Sequence, residues 1–235
     1  MFNKFKCYIH SNRYPVLVRK IIHLYNFFQR NNFNKVAAGN NISIGSSILK
    51  KCCFRITGVG NEVIVLDFNS LIDCRIIIRG NNNKVYIGNN NRLNETELWI
   101  EDDGNRISIG DENVVAGSVQ IAVIEGTSVD IGNDCLFSKD ISLRTGDSHS
   151  ILDSPSNERI NFSRSIKIGN HVWFGYRAVI LKGVGIQNDS VIASSAVVTK
   201  MFGEKGIVIG GNPARILRRS ISWDAKRLVQ EKSKR

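Results

Sequence analysis

Four apolar residues set 22 apart, Val65, Ile87, Ile109 and Ile131, constrain this chain more than any other feature. Each has a companion two residues earlier (Val63, Val85, Ile107, Val129) and another six residues later (Leu71, Leu93, Val115, Phe137). Three units open on Ile-Gly-Asn or Ile-Gly-Asp, at Ile87, Ile109 and Ile131, and asparagines recur in polar turns at Asn61, Asn83 and Asn105. A fixed interval of this length marks a repeat architecture, and the pieces between turns read as short strands rather than helices. From Ile168 the interval tightens to six, through Phe174, Ile180, Ile186, Ile192 and Val198, with small or modest residues between them at Val172, Ala178, Val184, Ser190 and Ala196.

One large and one small apolar residue per hexapeptide fit one short flat strand followed by one corner. Three hexapeptides close a triangular turn, and the 22-residue unit is expected to be the same turn with four extra residues bulging at a corner. Glycine or alanine at Gly132, Gly169, Gly175 and Ala193 lets the backbone bend there. Turns starting near Ile44, Val65, Ile87, Ile109, Ile131, Ile168 and Ile186 predict an all-β prism of about seven coils. At a stacking distance of about 4.8 Å it runs to roughly 30 Å, and contacts between neighbouring coils supply its stability.

The repeat breaks once. Between Leu143 and Gly175 a polar loop, 144–164, interrupts the coil before the hexapeptides resume, and interruptions of a scaffold are where chemistry is carried. His149 opens that loop two residues after Asp147, and Trp173 lies just past its end. The two are read as facing one active site.

The rest of the chain is organised around this coil, 41–212. Residues 1–40 hold seven Lys or Arg and no acid, and residues 213–235 hold eight Lys or Arg against two acids, so the formal charge of +11 resides at the two ends. The middle is slightly acidic, which argues against a nucleic-acid partner. In the N-terminal segment Val18, Ile21, Ile22, Tyr25 and Phe28 recur at helical spacing after Pro15, while Arg19, Lys20 and His23 break any run long enough for a signal peptide or a spanning helix. The resulting basic amphipathic helix has two readings: a cap across the open end of the coil, or a peripheral contact with the anionic inner-membrane face. The segment 213–235 is predicted to form a short C-terminal helix and a basic tail. Five cysteines with no C-x-x-C pair suggest neither a disulfide framework nor a zinc ribbon, and point to the reducing cytoplasm.

The stretch Ile168 to Lys200, IGNHVWFGYRAVILKGVGIQNDSVIASSAVVTK, followed by GGNPARIL from Gly210 to Leu217, resembles the hexapeptide-repeat acetyltransferases, which fold as left-handed parallel β-helices. The segment LFSKDISLRTGDSHSILD is most similar to members that O-acetylate bacterial surface sugars, including sialic-acid-containing capsules. The handedness comes from the resemblance alone, since parallel crossovers in general favour the right hand.

The resemblance implies a homotrimer that moves an acetyl group from acetyl-CoA to a hydroxyl of a polysaccharide or activated sugar. His149 then holds the position of general base, with Asp147 or a nearby carbonyl fixing its tautomer. Histidine titrates near pH 6.5, so neutral imidazole is available at neutral pH. Trp173 precedes the interior residue Phe174, so alternation turns it outward to stack on acceptor or acyl group. Gly175, Tyr176, Ala193, Ser194, Thr199, Lys200, Arg215 and Arg218 occupy the family's cofactor positions. Arg144, Arg159 and Arg164 give the loop a basic surround suited to an acidic glycan. His171 is read as a surface residue.

No G-x-S-x-G elbow is present, which favours direct transfer over an acyl-enzyme. Of the alternatives, a zinc hydratase on the same coil needs three converging histidines, and the coil region offers His149 and His171; no metal is expected. Acetylation of a small acceptor, a nucleotide-sugar or a xenobiotic, uses the same machinery. A non-catalytic binding solenoid needs the repeat but neither His149 nor Trp173.

Overall fold

The computed structural model describes residues 15–28 and 32–227. It is a parallel β-solenoid of about eight turns with a short N-terminal helix, Pro15–Phe28. Each coil passes three sides in order. Side one carries Asn41–Ile44, Glu62–Val65, Lys84–Ile87, Arg106–Ile109, Ser128–Ile131, Ile166–Ile168 and Gly185–Ile186. Side two carries Ile48–Lys50, Ser70–Ile72, Arg92–Asn94, Trp173–Phe174, Val191–Ile192 and Val208–Gly211; side three carries Phe33–Val36, Cys53–Thr57, Arg75–Arg79, Thr96–Glu101, Val179–Ile180 and Val197–Val198. Two long strands, Val114–Val123 and Leu136–Arg144, turn a corner and serve sides two and three together.

The ladder registers reproduce the sequence intervals. Neighbouring coils are offset by 20 to 22 residues early on, by 37 across the polar loop, and by 18 and then 17 afterwards. The loop leaves the stack unbroken: Leu136 and Phe137 pair with Trp173 and Phe174, and the rings of Phe137 and Phe174 lie 4.2 Å apart and nearly parallel. Large residues of the repeat point inward, and Val65, Ile87, Leu93, Phe174, Ile180 and Ile192 are all buried.

The extra residues of the 22-residue coils fall at and before the corner after side three, partly in an exposed turn, as at Asp102, Asp103 and Gly104, and partly in the side itself. They lengthen side three, where Ile56, Ile78, Ile100 and Val123 add a second buried residue after Phe54, Ile76, Leu98 and Ile121. The longer side ends in a turn closed by the asparagines. Asn61, Asn83 and Asn105 are buried and stack, each Oδ1 accepting the backbone N–H of the next at 2.8–2.9 Å. Asn69, Asn91 and Asn113 form a second ladder of the same kind. A buried amide is tolerated because every coil supplies the partner for the next.

The solenoid extends past the expected coils at both ends: Phe33–Val36 pairs in parallel with Cys53–Thr57 although it lacks the Ile-Gly-Asn signature, and Phe202 stacks on Ile186 and Val208 on Val191 at the other end. The open edge of side two is closed by side chains that imitate a strand. Asn26 accepts from Leu49 N (3.1 Å) and donates to Ser47 O (2.6 Å), and Asn32 accepts from Cys52 N (2.8 Å) and donates to Leu49 O (3.1 Å). Unpaired edge groups invite further pairing, and these contacts occupy them. The helix docks through Asn26, buried Ile22 and an Arg19–Asp67 ion pair at 2.9 Å. Ile21, Tyr25 and Phe28, expected on its buried face, are exposed, because these polar contacts set its rotation. No helix among the described residues is long and apolar enough to cross a membrane.

At the other end, Ala214–Arg218 pairs antiparallel with Val208–Gly211. The predicted C-terminal helix is not formed over 222–227. Ile221 N instead donates to Gly206 O (2.9 Å) and Trp223 Nε1 to His171 O (2.9 Å), which straps the segment back along the solenoid. The remainder of that prediction, 228–235, lies outside the described residues.

Candidate active site

The polar loop leaves the corner between sides three and one, after Arg144, and rejoins side one at Ile166. Its base is tied by Arg164 N to Thr145 O (2.9 Å), and buried Thr145 accepts from Ile124 N through Oγ1 (3.2 Å). Gly146 must stay small here, since a Cβ would come within 2.5 Å of Ile124 Cδ1. Beyond the base the chain folds on itself, with Ile160 N donating to Ile151 O (2.9 Å) and Asp153 closing a turn through Ser156 and Asn157.

Asn161, almost fully buried, is the hub. Its Nδ2 donates to His149 O (2.7 Å) and Asp147 Oδ2 (2.9 Å), while its Oδ1 accepts from Ile151 N (2.8 Å) and Arg159 Nε (3.2 Å). Lys182, one coil above, donates to Asp147 Oδ2 and to Asn161 O (3.0 Å). The Lys182 ammonium holds the Asp147 carboxyl below its ordinary range, and Asn161 adds to the effect. The backbone on either side of His149 is therefore fixed while its side chain stands in solvent.

Two expected roles are reassigned by this geometry. Asp147 is spent on Lys182 and Asn161, and among the described residues no hydrogen bond joins its carboxylate to the His149 imidazole. Arg159, read as an acceptor contact, pairs with Glu125 at 2.6 Å and lies over the Phe162 ring, so it braces the loop from within. Arg144 and Arg164 remain exposed.

Trp173 does face outward, 39% exposed beside fully buried Phe174. It begins side two, so the whole width of side one separates it from the loop corner of its own coil. Within one chain His149 and Trp173 are not brought together. Trp173 instead meets Trp223, ring centroids 6.0 Å apart and tilted by 41°. Trp223 stacks on His171 at 4.0 Å, and His171 Nδ1 lies 3.0 Å from Asp189 Oδ1. His171 is thus half-buried in a packed cluster, contrary to its reading as a plain surface residue.

The expected cofactor residues fall on two corners. Gly175 and Tyr176 sit directly below Ala193 and Ser194, with Gly175 N donating to Ile192 O (2.7 Å) and Ser195 N to Tyr176 O (2.7 Å). A Cβ on Gly175 would lie 2.6 Å from Ser194 N, so the close stacking requires glycine. Exposed Arg215 and Arg218 follow on the terminal hairpin, and among the described residues they form no ion pair. Thr199 and Lys200 stand on the loop corner, after Val198 stacks on Ile180. Sequence reasoning missed Asn161 and Glu125 as braces, counted Lys182 only as a local positive charge, and misplaced Trp223 in a helix. Their roles depend on contacts that no interval in the chain announces.

No family profile matches the chain. Two polysialic acid O-acetyltransferases match part of it. The one from Escherichia coli O1:K1 / APEC is 36% identical over 101 residues, 43% of this chain and 33% of that protein. The one from Neisseria meningitidis is 32% identical over 110 residues, 47% of this chain and 51% of that protein. These matches span about half or less of each relative. The crystal structure of NeuO, described as a polySia-specific acetyltransferase, superposes with a TM-score of 0.78 at 29% identity, covering 85% of this chain and 91% of that one. Sequence and fold agree on the family this chain resembles: the hexapeptide-repeat acetyltransferases, and within them those that O-acetylate polysialic acid.

Proposed function

We propose that this protein is an acetyl-CoA-dependent O-acetyltransferase that modifies a hydroxyl of a sialic-acid-type capsular or surface polysaccharide. The observation that carries the reading is the exposed His149 imidazole on an internally braced loop, in a solenoid similar to polysialic acid O-acetyltransferases. A base must reach a substrate hydroxyl, and a fixed backbone with a free side chain meets that need.

In the proposed step the acceptor oxygen bonds to the thioester carbonyl carbon as its proton passes to His149. The carbon–sulfur bond then breaks, and the same proton goes to the departing thiolate. Asp147 acts as a positioning residue through Lys182 and Asn161. Gly175 N and Ala193 N are spent on the ladder, so the backbone amides of Tyr176 and Ser194 at the same corners are the ones that suit the pantetheine amides, and Arg215, Arg218 and Lys200 suit the phosphates. Arg144 and Arg164 are proposed to meet the acidic acceptor.

A shared site follows from the separation of His149 and Trp173. The proposed enzyme is a homotrimer in which the loop of one copy meets Trp173 of the next, so the catalytic unit is an interface. Acetyl-CoA consumption with polysialic acid, neutral glycans and small activated sugars tests the reading. Turnover with the polyanion is expected, with an acceptor KM that rises steeply with salt because screening weakens many contacts at once. Efficient use of neutral glycans alone would overturn the acceptor assignment.

A further inference from the structure

Trp223, His171 and Asp189 form a cluster that the acetyl-transfer step does not use, and it abuts Trp173, which that step does use. The indole is held twice, by its N–H to His171 O (2.9 Å) and by parallel stacking on the His171 ring at 4.0 Å, while Asp189 holds that ring from the other side of the imidazole nitrogen. A side chain fixed this way loses no further freedom when a ligand arrives. Beside it stands Trp173, tilted and 39% exposed, so two aromatic rings form an open angle at the edge of side two. Lys226 and Arg227 follow within four residues of Trp223, both exposed, and among the described residues neither is in an ion pair.

We propose that Trp223 extends the exposed face of Trp173 into one aromatic surface of an acceptor subsite that packs against the ring of an anionic sugar, with Lys226 and Arg227 meeting its carboxylate. The assignment rests on the functional reading above and deepens it by naming what holds the acceptor. Planar rings offer a large apolar area to the C–H faces of a pyranose, and nearby cations add the charge recognition a neutral sugar does not need. The expected phosphate-binding residues Arg215 and Arg218 lie elsewhere, on the terminal hairpin, which leaves this strap for the acceptor.

The test uses the full-length chain with Trp223→Ala and Trp223→Phe. For Trp223→Ala the acceptor KM for polysialic acid is expected to rise about 3- to 10-fold, the factor an aromatic contact carries, with the acetyl-CoA KM unchanged. Trp223→Phe keeps a ring for stacking but loses the N–H, and is expected to restore most of the affinity. If the alanine variant fails to fold, the doubly substituted Lys226→Ala, Arg227→Ala chain carries the test, with a raised polysialic acid KM expected and an unchanged one overturning the subsite. An unchanged acceptor KM in both variants, or a rise in the acetyl-CoA KM instead, would overturn the platform. Tryptophan fluorescence titrated with oligosialic acid needs no turnover: quenching that is weakened in Trp223→Ala supports the platform even if the wild type fails to transfer acetyl, which would sink only the functional reading.

Discussion

Asn161→Ala isolates the loop brace from both the fold and the base. The substitution removes the four side-chain hydrogen bonds of Asn161, to His149 O at 2.7 Å, to Asp147 Oδ2 at 2.9 Å, from Ile151 N at 2.8 Å and from Arg159 Nε at 3.2 Å. Each is worth about 0.5–1.5 kcal/mol net, so the bias toward the braced loop falls by about 2–6 kcal/mol, or about 30- to 20,000-fold. If turnover requires the braced arrangement, kcat falls by up to that factor while His149 itself is intact. The solenoid core makes no use of Asn161, so thermal unfolding should move little. Steady-state kinetics at saturating acetyl-CoA and polysialic acid, run beside a melting curve, measure both quantities. Wild-type kcat in the variant refutes the idea that the brace positions the base. A fall in kcat that merely tracks a collapse in melting temperature refutes the separation of loop from scaffold.

Three further outcomes are expected. His149→Ala should lower kcat by about 10²- to 10⁴-fold with acetyl-CoA affinity unchanged by equilibrium titration. Because Lys182 lowers the Asp147 pKa, the stability that this pair gives the loop is present above the unfolded carboxylate value of about 3.9 and is lost as pH falls through the lower folded value; proteolysis of the loop across an acid series should show onset there, shifted or abolished in Asp147→Asn. Phe174→Ala empties a fully buried site that stacks on Phe137 and should cost about 3–5 kcal/mol in denaturant unfolding, because it breaks the stack where the loop enters.

The coil was legible in the sequence because each repeat must place a large residue at the same interior point, and Val65, Ile87, Ile109 and Ile131 do so at the interval the ladders show. What the interval does not encode is the shape of a side. Ile56, Ile78 and Ile100 look like ordinary strand residues, and it is the stacking of coils that turns them inward to enlarge side three. The strand Phe33–Val36 does not stand out in the sequence, although Gly39 lies under Gly60 and Asn40 Oδ1 accepts from Asn61 N, because no large residue precedes it at the repeat interval and its pairing is decided by Cys53–Thr57 above it. In the site, the outward turn of Trp173 followed from alternation, a local rule. The partners of Asp147 and Arg159 did not, because Lys182 and Glu125 lie 35 and 34 residues away in sequence and meet them only once the coils stack. The C-terminal segment was read by amphipathic spacing as a helix, yet Trp223 finds a carbonyl and a ring on the solenoid that no isolated helix offers.

The separation of His149 and Trp173 within one chain leads to a mixing experiment. Side one lies between the loop corner and the start of side two, so a site that needs both residues takes His149 from one copy and Trp173 from another. His149→Ala and Trp173→Ala chains are then each defective alone but complementary together. In trimers assembled at random from equal amounts, a given interface receives a wild-type histidine with a chance of about one half and a wild-type tryptophan from the other copy with a chance of about one half, so about a quarter of the sites regain both. Co-expression with two affinity tags and sequential purification removes the trimers of one kind, and each remaining mixed trimer holds one complete interface in three, so its activity is expected at about a third of the wild type. If both residues acted from a single chain, no mixed trimer would contain an intact site, and activity would stay at the level of the two variants. That outcome would refute the shared interface and require the loop to reach round side one of its own subunit.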